Sequence, residues 1–190
     1  MWRRGIILSI SWLCMAVLLA CTDDDLQNAT AISSKKITLS KDRSYDVEII
    51  YSDSAKVKAK GFAPILDQVT PSQGMKYNEM PKGVKVEFFD EMLKSTGTIR
   101  SDYAINRESD KVTVFKKNVV VVTETITFTT EQLTWDENKR NYTSPAGTVT
   151  TKDGNVLTGT AFSAPQDFST FKIVQGTGSA NVKNDLIGSP

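Results

Sequence analysis

Residues 126–136 read Ile-Thr-Phe-Thr-Thr-Glu-Gln-Leu-Thr-Trp-Asp. Ile126, Phe128 and Thr130 alternate with polar neighbours, then Leu133 and Trp135 continue the alternation on the other parity. A period of two belongs to an extended strand with one face buried, and the change of parity predicts a bulge within it. The same pattern recurs in both directions along the chain. Val84, Val86 and Phe88 alternate with Lys85 and Glu87; Ile99, Tyr103 and Ile105 share a parity; Val112 and Val114 flank Thr113. Turn signals lie between these runs, among them Pro81-Lys82-Gly83, Lys117-Asn118, Asp136-Glu137-Asn138, Asp153-Gly154 and Pro165-Gln166-Asp167. Asp153-Gly154 between two Thr/Val-rich runs reads as a tight hairpin. No apolar period of 3.6 residues reaches helix length beyond Ile37. Short strands with turns between them predict an all-β, antiparallel open sandwich. An echo at about thirty residues pairs Tyr103 with Leu133, and one of twenty-nine pairs Leu133 with Phe162, as in a stacked repeat of strand pairs.

Composition narrows the function. The 190 residues hold no His and two Cys, Cys14 and Cys21, both near the N-terminus. Imidazole bases, Ser-His-Asp triads and His- or Cys-ligated metals in the body are therefore excluded. A net charge of +1 lacks the basic excess that nucleic acid demands. No G-x-S-x-G, P-loop or G-x-G-x-x-G occurs. Glu87, Asp90, Glu91, Glu131 and Asp136 fall at turns or on outward parities, so no carboxylate pair is indicated and no enzyme, cofactor or metal is expected.

Arg3 and Arg4 precede an uncharged apolar run, Gly5 to Ala20, of sixteen residues. That is too short for a membrane span of ~20 residues and reads as a secretory signal. The run ends Leu18-Leu19-Ala20-Cys21, similar to the bacterial lipobox, so Cys21 is the expected site of acylation. Residues 1–20 are then a lipoprotein signal peptide and 21–36 an acylated cysteine with a flexible polar tether. Residues 37–180 form the β body, and 181–190 a disordered tail. Acyl chains such as palmitate anchor the body at a bilayer surface.

Beyond pattern, the order of blocks resembles a family. Glu79 to Asp90 (EMPKGVKVEFFD) is followed by TIRSDYAI and NVVVV, then TEQLTWDENK, LTGTAF and QDFSTFKI. These blocks, between about Tyr45 and Gly178, are similar to the LptC family of lipopolysaccharide-export proteins in its Bacteroidetes-type form. The resemblance implies a twisted β-jellyroll of the OstA-like bridge type, on the periplasmic side of the inner membrane. It implies that the chain accepts lipopolysaccharide, through its lipid A part, from an ABC transporter of LptB, LptF and LptG type. An LptA-type bridge protein would receive it next, in outer-membrane biogenesis. Family members better known from proteobacteria keep an uncleaved membrane helix where this chain has a lipobox.

Such a carrier needs an apolar groove with a wet rim. The lining candidates are the large residues expected to point inward: Phe88, Ile99, Tyr103, Ile105, Val114, Val121, Phe128, Leu133, Trp135, Tyr142, Phe162 and Phe171. Lys56, Lys58 and Lys60 share one face of a strand, as lipid-phosphate contacts or as a solvated stripe. The last alternating strand, with Phe168, Thr170, Lys172 and Val174, is the candidate partner edge. The alternative function is a surface-exposed β-sandwich lipoprotein that binds glycan or protein.

Overall fold

The structure, a computed structural model, describes residues 37–179; the signal segment, Cys21, the tether and the tail from residue 181 lie outside the described residues. Fourteen strand segments follow in chain order: β1 (Leu39–Asp53), β2 (Lys56–Pro71), β3 (Tyr77–Met80), β4 (Val84–Phe89), β5 (Ser95–Ser101), β6 (Tyr103–Arg107), β7 (Val112–Thr123), β8 (Ile126–Asp136), β9 (Asn141–Ser144), β10 (Gly147–Thr151), β11 (Val156–Gly159), β12 (Ala161–Pro165), β13 (Lys172–Val174) and β14 (Thr177–Ser179). All pairings are antiparallel. The fold is an all-β, jellyroll-like sandwich.

The registers simplify this list. β3 and β4 both pair with β2, and β5 and β6 both pair with β7. Likewise β9 and β10 both pair with β8, β11 and β12 continue one another, and so do β13 and β14. The fourteen segments are thus nine long strands in a simple meander, five of them broken midway. Every strand bends at a matching level, which folds one ladder into two facing layers. The first layer holds β3, β6, β9, β12, β13 and the outer halves of the unbroken strands. The second holds β4, β5, β10, β11 and β14.

Local chemistry sets the bends. Opposite Asp46 stands Pro64, which has no N–H to give, and the β1–β2 pairing skips both. Asp46, Lys117, Asn118 and Gln175 adopt positive φ at their bends, and Gly83 (φ 83°) does so between β3 and β4. β7 carries the bulge between Lys116 and Val119, opposite Thr130 and Gln132 of β8, so the expected parity change there is present. The Asp153-Gly154 hairpin also forms, with Gly154 at φ 81° and its N–H donating to Thr151 O at 2.9 Å.

The core lies between the layers. Phe128 of β8 stacks on Phe162 of β12 with ring centroids 3.8 Å apart, joining the second layer to the first. Gly147 permits this: a Cβ there would stand 2.4 Å from the Phe128 ring. Ile99, Val119, Val121, Leu133 and Val149 are fully buried in the same cluster. The echo in the sequence has a counterpart, because β7 and β9 begin at Val112 and Asn141, and β8 and β11 at Ile126 and Val156. Ala104, Leu133 and Phe162 repeat along it, all buried. The phase that aligns Tyr103 with Leu133 is one residue out.

The open side of the fold is where strand ends of the two layers meet. Arg140, at one end, reaches Asp53 at the other with Nη2 to Oδ2 at 3.1 Å. Phe168 closes the same side further along, packing on Tyr142 at 4.6 Å and on Phe88 at 6.2 Å.

Candidate functional site

Toward the β1 end the layers part, leaving a cavity of about 400 Å³. Its walls are apolar: Ile49 and Tyr51 from β1, Leu66 from β2, Val86 and Phe88 from β4, and Trp135 from β8. Tyr142 forms the far wall, with its ring 4.5 Å from that of Trp135 and 6.3 Å from that of Phe88. Beyond this aromatic wall the core is closed. Polar groups gather at the mouth, where Glu48, Asn78, Glu108, Lys111 and Glu137 contribute to the lining. Several are tied down: Lys111 to Glu137 at 3.7 Å, Lys60 to Glu48 at 3.2 Å, and Asn78 Nδ2 donating to Glu108 at 2.7 Å.

Burial, with a smaller contribution from charges at the mouth, keeps the phenols neutral. Burial raises the pKa of Tyr51, and the carboxylates of Glu137 and Asp53 raise it further. Burial likewise holds Tyr142 above the ordinary phenol value, helped by Tyr51 nearby. Both hydroxyls therefore remain donors.

Directly paired residues share a face, and this sorts the candidates. Asn106 pairs with Thr113, Thr113 with Trp135, and Trp135 with Tyr142, so this row faces inward. Phe88, Trp135 and Tyr142 line the cavity. Ile99, Val121, Phe128, Leu133 and Phe162 are closed core, with Phe171 packed against them. Tyr103, Ile105 and Val114 require correction. Ile105 pairs with Glu79 and Val114, and Val114 with Thr134, which puts all three on the outer face. The bend at Asp102 reverses parity, so Ala104 takes the inward place instead of Tyr103. The Tyr103 hydroxyl donates to Glu79 on that outer face. Lys56, Lys58 and Lys60 also face outward, and Lys56 pairs with Glu91 at 2.9 Å.

The partner edge is corrected too. Phe168 is buried at φ 52°, its N–H donating to Pro165 O at 3.0 Å, so the Pro165 turn runs through it. Ser169 N–H donates to Asp167 Oδ1 at 3.0 Å and extends that turn. Thr170 lies in a bend, and only Lys172 to Val174 of the expected strand pairs, with β12. Among the described residues, the edge at this end is Lys172–Val174 and Thr177–Ser179, and at the other end it is all of β1.

Sequence reading missed Ile49, Tyr51, Leu66 and the polar mouth. Val86 carried a usable signal, since it shares parity with Phe88. Among the described residues no group of three or more His, Cys, Asp or Glu is placed to hold a metal ion. No protein-family model matches the chain, and no curated protein matches it significantly.

Proposed function

We propose that the chain is a lipid-anchored component of a lipopolysaccharide-export bridge. It takes acyl chains from an inner-membrane ABC transporter into the space between its sheets and passes them to a second bridge protein. The observation that carries this reading is the apolar cavity of about 400 Å³ with a polar mouth, beside a long edge strand, β1, whose outer side pairs with no described residue. Cys21 supplies the anchor, and the body works on the periplasmic side of the inner membrane. Passage toward the β13–β14 edge requires Phe88, Trp135, Tyr142 and Phe168 to part.

A photo-crosslinker at Phe88 or Tyr51, compared with one at outward Glu87 or Ile105, tests the proposal in cells. Capture of lipopolysaccharide at the inward positions alone is expected. Equal capture on both faces, or none, sinks it. Fatty-acid labelling that persists in Cys21→Ala overturns the anchor. Antibody labelling of intact cells would instead favour a surface lipoprotein that binds glycan or protein.

A further inference from the structure

Resting on that reading of the cavity, we propose that it grips one specific group: the uncharged carbonyl oxygen of an ester- or amide-linked acyl chain, held by the Tyr142 hydroxyl. Tyr142 is only 4% exposed and lines the cavity. Its hydroxyl hydrogen-bonds to no described residue. Yet no fully enclosed side-chain polar atom among the described residues lacks a partner, so this hydroxyl is open to the cavity. An unpartnered phenol in an apolar pocket is costly unless something in the pocket completes it. Trp135, packed on the Tyr142 ring, lines the same space, and its indole N–H also bonds to no described residue.

The chemistry of these groups selects the ligand. Indole N–H donates only, and the neutral phenol donates readily, so the partner is an acceptor. Among the described residues that line the cavity Lys111 is the one cation, and it is tied to Glu137 at 3.7 Å at the mouth, so no ammonium is placed to meet an anion at the Tyr142 wall. A free fatty acid gripped at the same place would carry its carboxylate to an apolar wall that offers donors and no cation, and would lose its hydration there. An ester or amide carbonyl accepts the same hydrogen bond with no charge. The ligand is therefore an acylated hydroxyl or amine, and the pocket discriminates against the hydrolysed acid.

The test uses fluorescence of Trp135 in the full chain, with Trp2→Phe and Trp12→Phe so that it is the one reporter. The probes are 2-bromoundecanoyl glycerol and 2-bromoundecanoate, whose bromine sits next to the carbonyl and quenches indole on contact. The ester should quench Trp135, and the carboxylate should bind more weakly by on the order of tenfold. Tyr142→Phe should weaken ester binding by about five- to tenfold. Its melting temperature should stay at or above wild type, because the hydroxyl has no protein partner to lose. Unchanged ester affinity in Tyr142→Phe overturns the anchor while leaving the acyl cavity in place. Equal affinity for the carboxylate overturns the selection, and a marked loss of stability in Tyr142→Phe shows a structural role instead. If neither probe quenches Trp135, the carrier reading itself fails.

Discussion

Arg43 holds both oxygens of Asp67, Nε to Oδ1 at 2.6 Å and Nη2 to Oδ2 at 2.8 Å, across the β1–β2 pair. The two partners are unequally placed: the Asp67 side chain is 1% exposed and that of Arg43 47%. Removing Arg43 leaves a carboxylate that water barely reaches with only the more distant Lys41, 3.8 Å away, whereas removing Asp67 frees a guanidinium already half in water. Arg43→Ala should therefore lower the melting temperature more than Asp67→Asn, as differential scanning fluorimetry can measure. The reverse order would mean that the pair does not fix β1.

The same cluster sets the response to acid. Hydrogen bonding from Arg43 lowers the pKa of Asp67, and hydrogen bonding from Lys41 and then Tyr103 lowers that of Glu79. A depressed carboxyl binds fewer protons folded than unfolded, so stability rises with pH through its titration range. Stability should be level above the ordinary carboxylate range, about pH 4–5, and fall as pH drops through the lowered values. Arg43→Ala should flatten that fall. An acid limb as steep in the variant as in wild type would place the responsible carboxyls elsewhere.

Two glycines should respond in opposite directions. Gly83 sits at φ 83°, and a Cβ there would stand 2.4 Å from Ser101 O, a backbone atom that cannot swing aside. Gly83→Ala should cost about 1–3 kcal/mol. Gly61 has no such φ, and its nearest neighbour would be Ile49 Cβ at 3.6 Å, in ordinary contact. Gly61→Ala should be neutral or stabilise by about 0.5 kcal/mol, by narrowing the unfolded ensemble. Urea melts of both variants decide, and similar losses would show that the bend at Gly83 carries no strain.

Strand alternation was legible because it reports which face is buried, and the bulge in the β7–β8 pair was legible because it reverses parity. The bend at Asp102 was not, since nothing in Ser101-Asp102-Tyr103 marks a shift from one inward row to the other. Tyr103 consequently looked like lining and stands beside Glu79 instead. Phe168 looked like an edge residue because alternation extends through a turn as easily as through a strand. The cavity itself is a property of two layers parting, which depends on where every bend falls. Its lining from β1 could not be assigned to a face before Asp46 was known to interrupt that strand.

Core and cavity should also differ in cost. Phe128 is fully buried and stacked on Phe162. Phe128→Ala should cost about 3–5 kcal/mol, and Ile99→Val at a fully buried site about 1 kcal/mol. Leu66 borders open volume and is half-buried, so Leu66→Ala should cost less than Phe128→Ala and enlarge the cavity. Chemical denaturation gives the energies; a Leu66→Ala loss equal to that of Phe128→Ala would mean the cavity wall is packed as tightly as the core.

The β1 edge offers the sharpest test of assembly. Thr38 O accepts from Ser72 N at 2.8 Å, so Thr38 turns its backbone groups toward β2. Backbone direction alternates along a strand, so Leu39, Lys41, Arg43 and Tyr45 turn theirs outward, away from any described neighbour. Tyr45 is 67% exposed. Tyr45→Pro removes one outward N–H and puts a ring against an incoming strand, yet leaves the β1–β2 ladder intact. Ser44→Pro, one residue earlier, removes an N–H that faces β2. The first variant should keep its melting temperature and lose strand addition at β1 by the transporter's periplasmic domains, if the proposed transporter docks at this edge, read by pull-down. The second should lose stability itself. Because β1 runs for 15 residues and β13 and β14 for 3 each, a partner gains more ladder here than at the far end. Binding that survives in a folded Tyr45→Pro variant would move the contact to Lys172–Val174 and Thr177–Ser179, the shorter edge.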